Sequence, residues 1–493
     1  MCAAHIATTA STGMPAPAPR DLTAKARPPR SLLTILATPV RAESRALLAT
    51  NWHSLPEHLR TKEQMLGVQG NGCGATIGAM PRCDFACRGC YLGAAANRVP
   101  PEPVDAIKAQ MRALRPTLGP DGNLQLTDGE VTLRPPEEVI DLLQYAHALE
   151  LVPMLMTHGD SFRRRPGLLE RYLVDGELDE VSIHVDTTQR GRVGAEYKNA
   201  TSEAQLNPLR DEFVNMIVQA QRATGRTLRA ATTMTVTRDN LAGVHDVMRW
   251  LISGQPVFRM ISFQPIAQVG RTEDGFGGGV TGDALWWKIA FALTGGNRVA
   301  AEELLRSQVW FGHPGCNRIL HGLVALRAGE APKFHALRPS ADAPHAATVD
   351  EFFRRFGGVS FKTDTKWSAI ARVVGLIAHA PWFVVSKLPK YFWHWLDRLN
   401  PGAPMQTLKD LIGGRLTVQP LVIVSHHFMS AAELQTDEGR ERLAHCVFHV
   451  PVNGELVSMC EVNALGIRDQ YYADLTAAGD YQAADPSDDA ALV

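Results

Sequence analysis

The chain has 493 residues, 45% of them hydrophobic, enough for a sizeable core and for one large domain with additions or two to three ordinary ones. Its 50 Lys+Arg balance 51 Asp+Glu, which removes the basic footprint of a nucleic-acid-binding protein. Eight cysteines are too few for a disulfide scaffold at this length; their clustering points to metal in a reducing compartment, so a cytoplasmic location is expected.

Residues 1–45 read as a disordered start. The first thirty are rich in Ala, Thr and Pro, with Pro15 to Arg20 alternating Pro and Ala, and they lack the apolar run of a secretory signal. Arg20, Lys25, Arg27 and Arg30 leave a transit peptide open. From 75 to 265, short apolar runs alternate with amphipathic helical stripes. Strands are predicted at Ala75–Met80, Asn123–Thr127, Leu151–Thr157, Glu180–Asp186, Leu228–Val236 and Phe258–Gln264. Helical faces fall between them: Val104, Ile107, Met111 and Leu114; Val139, Leu142, Leu143 and Ala146; Phe213, Met216, Ile217 and Ala220; Val244, Val247, Met248 and Leu251. Strands alternating with helices imply an α/β fold with a parallel sheet. Six units are two short of an eight-unit barrel, so a partial (β/α)6 barrel is predicted, with its chemistry at the C-terminal strand ends.

The pattern breaks at Gly275-Phe-Gly-Gly-Gly279, a glycine-rich connection with no Lys-Ser/Thr to make it a phosphate loop. Residues 283–470 read as a second, α+β region that includes a strand-like run from Leu416 to Val424. Val373 to Ser386 is apolar but too short to span a membrane; it reads as a buried helix or an interfacial segment, the core reading being preferred. Residues 387–398 mix Trp, Phe, Tyr and Lys, which suits a lipid headgroup interface or a lid over an apolar substrate. Residues 474–493 form an acidic, Ala-rich tail.

The chemistry-bearing feature is Cys83-x3-Cys87-x2-Cys90, just after the first predicted strand. Three thiolates on one tight loop can hold three irons of a [4Fe–4S] cube and leave the fourth iron open. The competing reading is zinc, which needs a fourth ligand from elsewhere, such as Cys73. Further motifs sit at the ends of the next strands: Thr127-Asp-Gly-Glu130, Thr157-His-Gly159 and His184-Val-Asp186.

In this order the motifs of residues 71–270 resemble the radical S-adenosylmethionine (radical SAM) superfamily. Two positions depart from its pattern: Gly89 precedes the third cysteine where an aromatic or apolar residue is usual, and Asp128 replaces the first glycine of a Gly-Gly-Glu motif. The resemblance implies a radical SAM core over 70–275, with Cys83, Cys87 and Cys90 holding a [4Fe–4S] cluster whose open iron binds S-adenosylmethionine. It implies that Gly129 and Glu130 offer acceptors to the cofactor's amino group, with Asp186 either a ribose or substrate contact or the cap of its own loop. It implies cleavage to a 5′-deoxyadenosyl radical that functionalises a C–H bond, fed by a donor such as flavodoxin or ferredoxin.

Of the remaining cysteines, Cys316 sits on a Pro-Gly turn, while Cys446 and Cys460 flank an Asn453-Gly454 hairpin signal. With His449 and Asn463, and with Phe263-Gln-Pro265 and Gly270-Arg271 upstream, this segment resembles a radical SAM group that includes archaeal pterin-precursor methylases and tetraether-lipid synthases. That likeness implies an auxiliary [4Fe–4S] cluster on Cys316, Cys446 and Cys460, with Cys73 as fourth ligand; buried free thiols are the alternative. The expected substrate is a small heterocycle, methylated, or a lipid chain, coupled through carbon, with peripheral membrane contact in the second case. A zinc-stabilised binding or scaffold protein is the alternative from a different class.

Overall fold

The computed structural model describes residues 30–274, 276, 278–359 and 365–478. Among the described residues eleven strands form one mixed sheet that curls into a half-barrel, in an α/β fold. Six parallel strands run side by side in chain order: β1 (Cys73–Ala75), β2 (Asn123–Leu126), β3 (Val152–Thr157), β4 (Glu180–His184), β5 (Arg229–Val236) and β6 (Phe258–Pro265). Helices between them return the chain as the predicted stripes require: Ile107, Met111, Leu114, Val139, Leu142, Phe213, Ile217, Val247 and Met248 are all buried in one core. Such crossovers place helices on the outer face and free every strand end on one side.

The first strand is shorter than its apolar run suggests. Beyond Ala75 the backbone turns to side-chain partners: Ile77 N donates to Gln110 Oε1 (2.9 Å) and Gly78 N to Asp128 Oδ2 (2.8 Å). Gly78 adopts a positive φ of 74°, which ends the extended conformation.

The later region adds strands to both ends of this series. At one end β9 (Leu416–His426) pairs in parallel with β6, followed by antiparallel β7 (Asn317–Arg327) and β8 (Lys333–Ala336). At the other, β10 (Phe448–Val452) lies parallel to β1, and β11 (Glu455–Ser458) folds back upon it. The hairpin turn is at Asn453 and Gly454, both with positive φ, as the Asn-Gly signal predicts.

Residues 1–29 lie outside the described residues, while part of the remaining start expected to be loose is helical. Helices Leu32–Ala37 and Ala42–Ser54 form there, and the first packs against helix Lys366–His379. Gly275 and Gly277 of the glycine run, and the tail beyond 478, lie outside the described residues.

Among the described residues no single helix is long and apolar enough to cross a membrane. The buried-helix expectation for 373–386 is corrected. Helices Lys366–His379, Pro381–Ser386 and Leu388–Leu399 form a hairpin bent by 94° at Ala380. It turns a small set of side chains inward, among them Phe383, Trp395 and Leu396, and leaves Trp367 71% and Trp382 80% exposed, with Ile370, Val373, Val374, Ile377, Val385, Phe392 and Trp393 outward as well. Pro381 lacks an N–H and starts the second helix, which puts the bend where one continuous helix would otherwise run.

Candidate functional site

The C-terminal ends of β2 to β6 and the loop that follows β1 surround one cavity. Its wall includes Cys83, Cys87 and Cys90, Gly129 and Glu130, His158, His184, Thr235 and Gln264. Apolar side chains complete it: Leu92, Met156, Ile266, Phe428, Phe448 and Met459.

The cysteine loop is pinned from several sides. Ala86 N and Arg88 N donate to Arg190 O (2.8 Å) and Thr188 O (2.9 Å), beyond β4. Cys90 O accepts from Arg271 N (2.9 Å). Gly270 must be glycine there: its φ is 57°, and a Cβ would stand 2.3 Å from Tyr91 O. Gly89, one of the two departures, has φ 76° and its Cβ position is filled by Ile266, whose Cδ1 lies 2.1 Å away. The apolar bulk usual at that place thus comes from the loop after β6.

The second motif is held as tightly. Gly129 N donates to Met80 O (2.8 Å) and Glu130 N to Arg82 O (3.0 Å). A Cβ on Gly129 would meet Pro81 O at 2.4 Å and Arg82 O at 2.5 Å, so only glycine lets the two loops lie this close. Asp128, the second departure, accepts from Gly78 N and is buried against the Arg468 guanidinium and the Tyr472 hydroxyl. Its carbonyl accepts from Tyr91 Oη (2.7 Å).

Glu130 is 1% exposed. It caps the short helical turn Val131–Leu133 through Thr132 N (3.3 Å), as a helix-start carboxylate would, and its oxygens also accept from Thr132 Oγ1, Thr157 Oγ1 (2.6 Å) and His158 N (2.9 Å). His158, which the sequence marks only as part of a motif, stacks on Phe85 with ring centres 3.8 Å apart. Its Nε2 lies 2.7 Å from Asp84 Oδ1, and Asp84 also meets Arg164 at 2.6 Å. Burial alone would raise the Asp84 carboxyl, but its hydrogen bond and electrostatic contact with His158, and the Arg164 guanidinium, override it and hold it well below its ordinary range. Arg192, also silent in the sequence, is buried under the strand ends. It donates to His158 O (2.5 Å), Asp160 Oδ1 (3.0 Å), Gln189 Oε1 (2.5 Å) and His184 O.

Asp186 is turned away from the cavity. Its oxygens accept from Thr188 N (2.7 Å), Thr188 Oγ1 (2.6 Å) and Thr235 N (2.7 Å) and lie 2.5 Å from His184 Nε2. Of the two roles expected for it, the structure displays loop capping, while His184 faces the cavity.

The other cysteines gather at a second place. Cys446 precedes β10, Cys460 lies on helix Met459–Ala464, and Cys73 opens β1; Cys73, Cys316 and Cys460 all act electrostatically on Cys446. Hydrogen-bond donors are aimed at three of the sulfurs: Arg442 Nε at Cys316, Met429 N at Cys460 and Phe448 N at Cys446, each at 3.4 Å. Phe448 and Met459 also line the central cavity, so this group adjoins it.

Burial raises six of these thiols: Cys87 and Cys446 are pushed up to about 12, Cys460 to about 11, and Cys83, Cys90 and Cys316 are raised as well. Buried thiols at such values stay protonated unless a metal centre takes the thiolate. Neither the three motif thiols nor any three of the other four converge within 4.8 Å of one another. Among the described residues, ligand atoms of Cys83, Asp84 and His158 do converge within that distance.

No family model matches the chain. No curated protein matches it. Among solved structures, Streptococcus suis SuiB aligns with 12% identity and a TM-score of 0.32, covering 52% of this chain and 52% of its own. The chain thus spans about half the length of that structure, and so loose a likeness fixes no assignment.

Proposed function

We propose that the chain is a radical SAM iron–sulfur enzyme that functionalises a C–H bond. The observation that carries this reading is the placement of Cys83, Cys87 and Cys90 with Gly129 and Glu130 on one cavity, at the ends of parallel strands. Such a cluster with S-adenosylmethionine supplies one-electron cleavage of a sulfonium C–S bond and hydrogen-atom abstraction.

The chain's own residues do the rest. Cys83, Cys87 and Cys90 are the cluster ligands. Gly129 keeps the acceptor loop against the cysteine loop, and Glu130 offers a carboxylate locked by Thr132, Thr157 and the His158 amide. His158, Phe85 and Asp84 brace the loop that carries the thiols. Leu92, Met156, Ile266 and Phe428 keep water from the reacting centre. In this reading residues 70–275 are the catalytic core and 283–470 bring the auxiliary centre through Cys316, Cys446 and Cys460, whose N–H···S donors suit thiolates, with Cys73 of the core as fourth ligand. A flavodoxin- or ferredoxin-type donor reduces the enzyme.

Of the two substrate classes, the exposed hairpin 366–399 favours the lipid. A soluble heterocycle gives an enzyme no reason to present this many large apolar side chains outward. Lys366, Lys387 and Lys390 border the face, and its helices carry no acidic residue before Asp397, so it matches an anionic membrane surface.

Anaerobic reconstitution tests the reading. Wild type is expected to hold roughly eight irons, and Cys316→Ala roughly four. With dithionite, wild type cleaves S-adenosylmethionine to 5′-deoxyadenosine and Cys87→Ala does not. Zinc without iron, or equal cleavage by both proteins, would overturn it.

A further inference from the structure

Outside both cysteine groups, three ligating side chains meet where helix Ala343–Phe356 packs against helix Leu388–Leu399. Asp342 caps the first helix through Oδ1, which accepts from His345 N (3.1 Å). His345 follows in the first turn, and His394 reaches over from the second helix with its ring centre 4.9 Å from that of His345. One ligand atom from each of the three lies within 4.8 Å of the others.

His345 is only 4% exposed, yet neither ring nitrogen has a hydrogen-bond partner. Its Nδ1 stands 3.1 Å from Asp342 Oδ2, off the line of a hydrogen bond. A buried imidazole left this way costs free energy that folding normally avoids, and an ion is one of the few things that relieves it. Tyr391 packs beside the ring but spends its hydroxyl on Leu337 O (2.6 Å), and Arg398 directs its Nη1 to Ala336 O (3.3 Å).

We propose that Asp342, His345 and His394 form a sulfur-free site for a divalent transition-metal ion of the zinc class. Two imidazoles and one carboxylate are a donor set for borderline ions, and three protein ligands leave a position for water. A tetrahedron with bonds of about 2.0–2.1 Å has edges of roughly 3.4 Å, and the exposed His394 side chain has the freedom to close that gap. The ion ties the last helix of the exposed hairpin to the start of helix Ala343–Phe356. The site stands whether or not the cysteine groups carry iron.

The test is a titration with Zn2+ alone, on protein with its clusters in place and loosely held metal removed by brief chelation. Wild type takes up one zinc per chain, and X-ray absorption at the zinc edge shows nitrogen and oxygen neighbours at about 2.0–2.2 Å with no sulfur shell near 2.3 Å. His394→Ala, a change at an exposed position, weakens uptake by at least about 100-fold, since outer partners alone are worth 10–100-fold. Asp342→Asn keeps the helix cap and also weakens it. No uptake by wild type, equal uptake by His394→Ala, or a sulfur shell would overturn the site. Iron content unchanged in these variants keeps the result separate from the radical reading.

Discussion

At the scale of single residues, the cavity's most constrained group is Glu130. Each of its oxygens faces N–H or O–H donors, and it is buried, so the site has no room for a donor in its place. Glu130→Gln retains the shape but turns an amide NH2 toward one of those donors. We expect a loss of about 1–3 kcal/mol in urea unfolding and weaker S-adenosylmethionine binding by equilibrium dialysis. Unchanged stability would mean that Gln is accommodated by rotation of Thr132 or Thr157. Cys83, Cys87, Cys90, Gly129 and Glu130 were legible in the sequence because the motifs fall at strand ends and the strands have clear periodicity. Asp186 was half legible: sequence places it at a strand end, but only the fold shows that Thr188 and Thr235 consume its oxygens. His158 stood in a quoted motif without a role, since nothing local announces its stack on Phe85. Arg192 and Arg468 had no signal at all. Each acts on groups brought near by folding, and a lone arginine in a sequence is indistinguishable from a solvated one.

At the scale of elements, the six strands and their helices followed from apolar spacing, and the errors lay at ends, as with the early exit of β1. The hairpin 366–399 was misplaced for a physical reason. A short apolar run bordered by Trp and Lys has the same composition whether it is buried in a core or laid on a membrane, and only exposure separates the two. If the outward face contacts lipid, the protein co-sediments with vesicles containing anionic phospholipid, and the double variant Trp367→Ser, Trp382→Ser loses most of that binding. Neither tryptophan is in the core, so melting temperature should stay within about 2 °C of wild type, in keeping with surface changes of under ~0.5 kcal/mol. Absence of co-sedimentation by wild type would remove the membrane from the proposal, and equal binding by the variant would remove these two tryptophans from the contact.

At the scale of the whole molecule, the late region is no appendage. It supplies a parallel neighbour to each outer strand of the six and part of the cavity wall. The link between the halves is a buried cluster of Arg468, Asp128, Tyr472 and Tyr91. The burial of Arg468 is offset by the Asp128 charge, which holds the guanidinium firmly protonated. Arg468→Ala strands a buried carboxylate, and such losses cost about 3–5 kcal/mol. We expect a lower guanidinium midpoint and poor iron retention on the Cys83–Cys90 loop, read by iron content after gel filtration. Normal stability would show that Tyr472 and Gly78 suffice for Asp128.

β1 finds its second neighbour only at Phe448, paired with Cys73. The two are 448 − 73 = 375 residues apart, so at synthesis rates of about 5–20 residues per second the β1 edge stays open for roughly 20–75 s on the ribosome. During that interval the chain carries an unpaired strand edge beside a loop of three thiols. The same opening is a delivery window. A scaffold protein can reach Cys83, Cys87 and Cys90 before β10 closes over Cys73, whereas the second group, with Cys446 and Cys460 near the end of the chain, is assembled only as the sheet shuts. In the proposed reading, the connectivity of the sheet leaves the first thiol group accessible early and closes the second last.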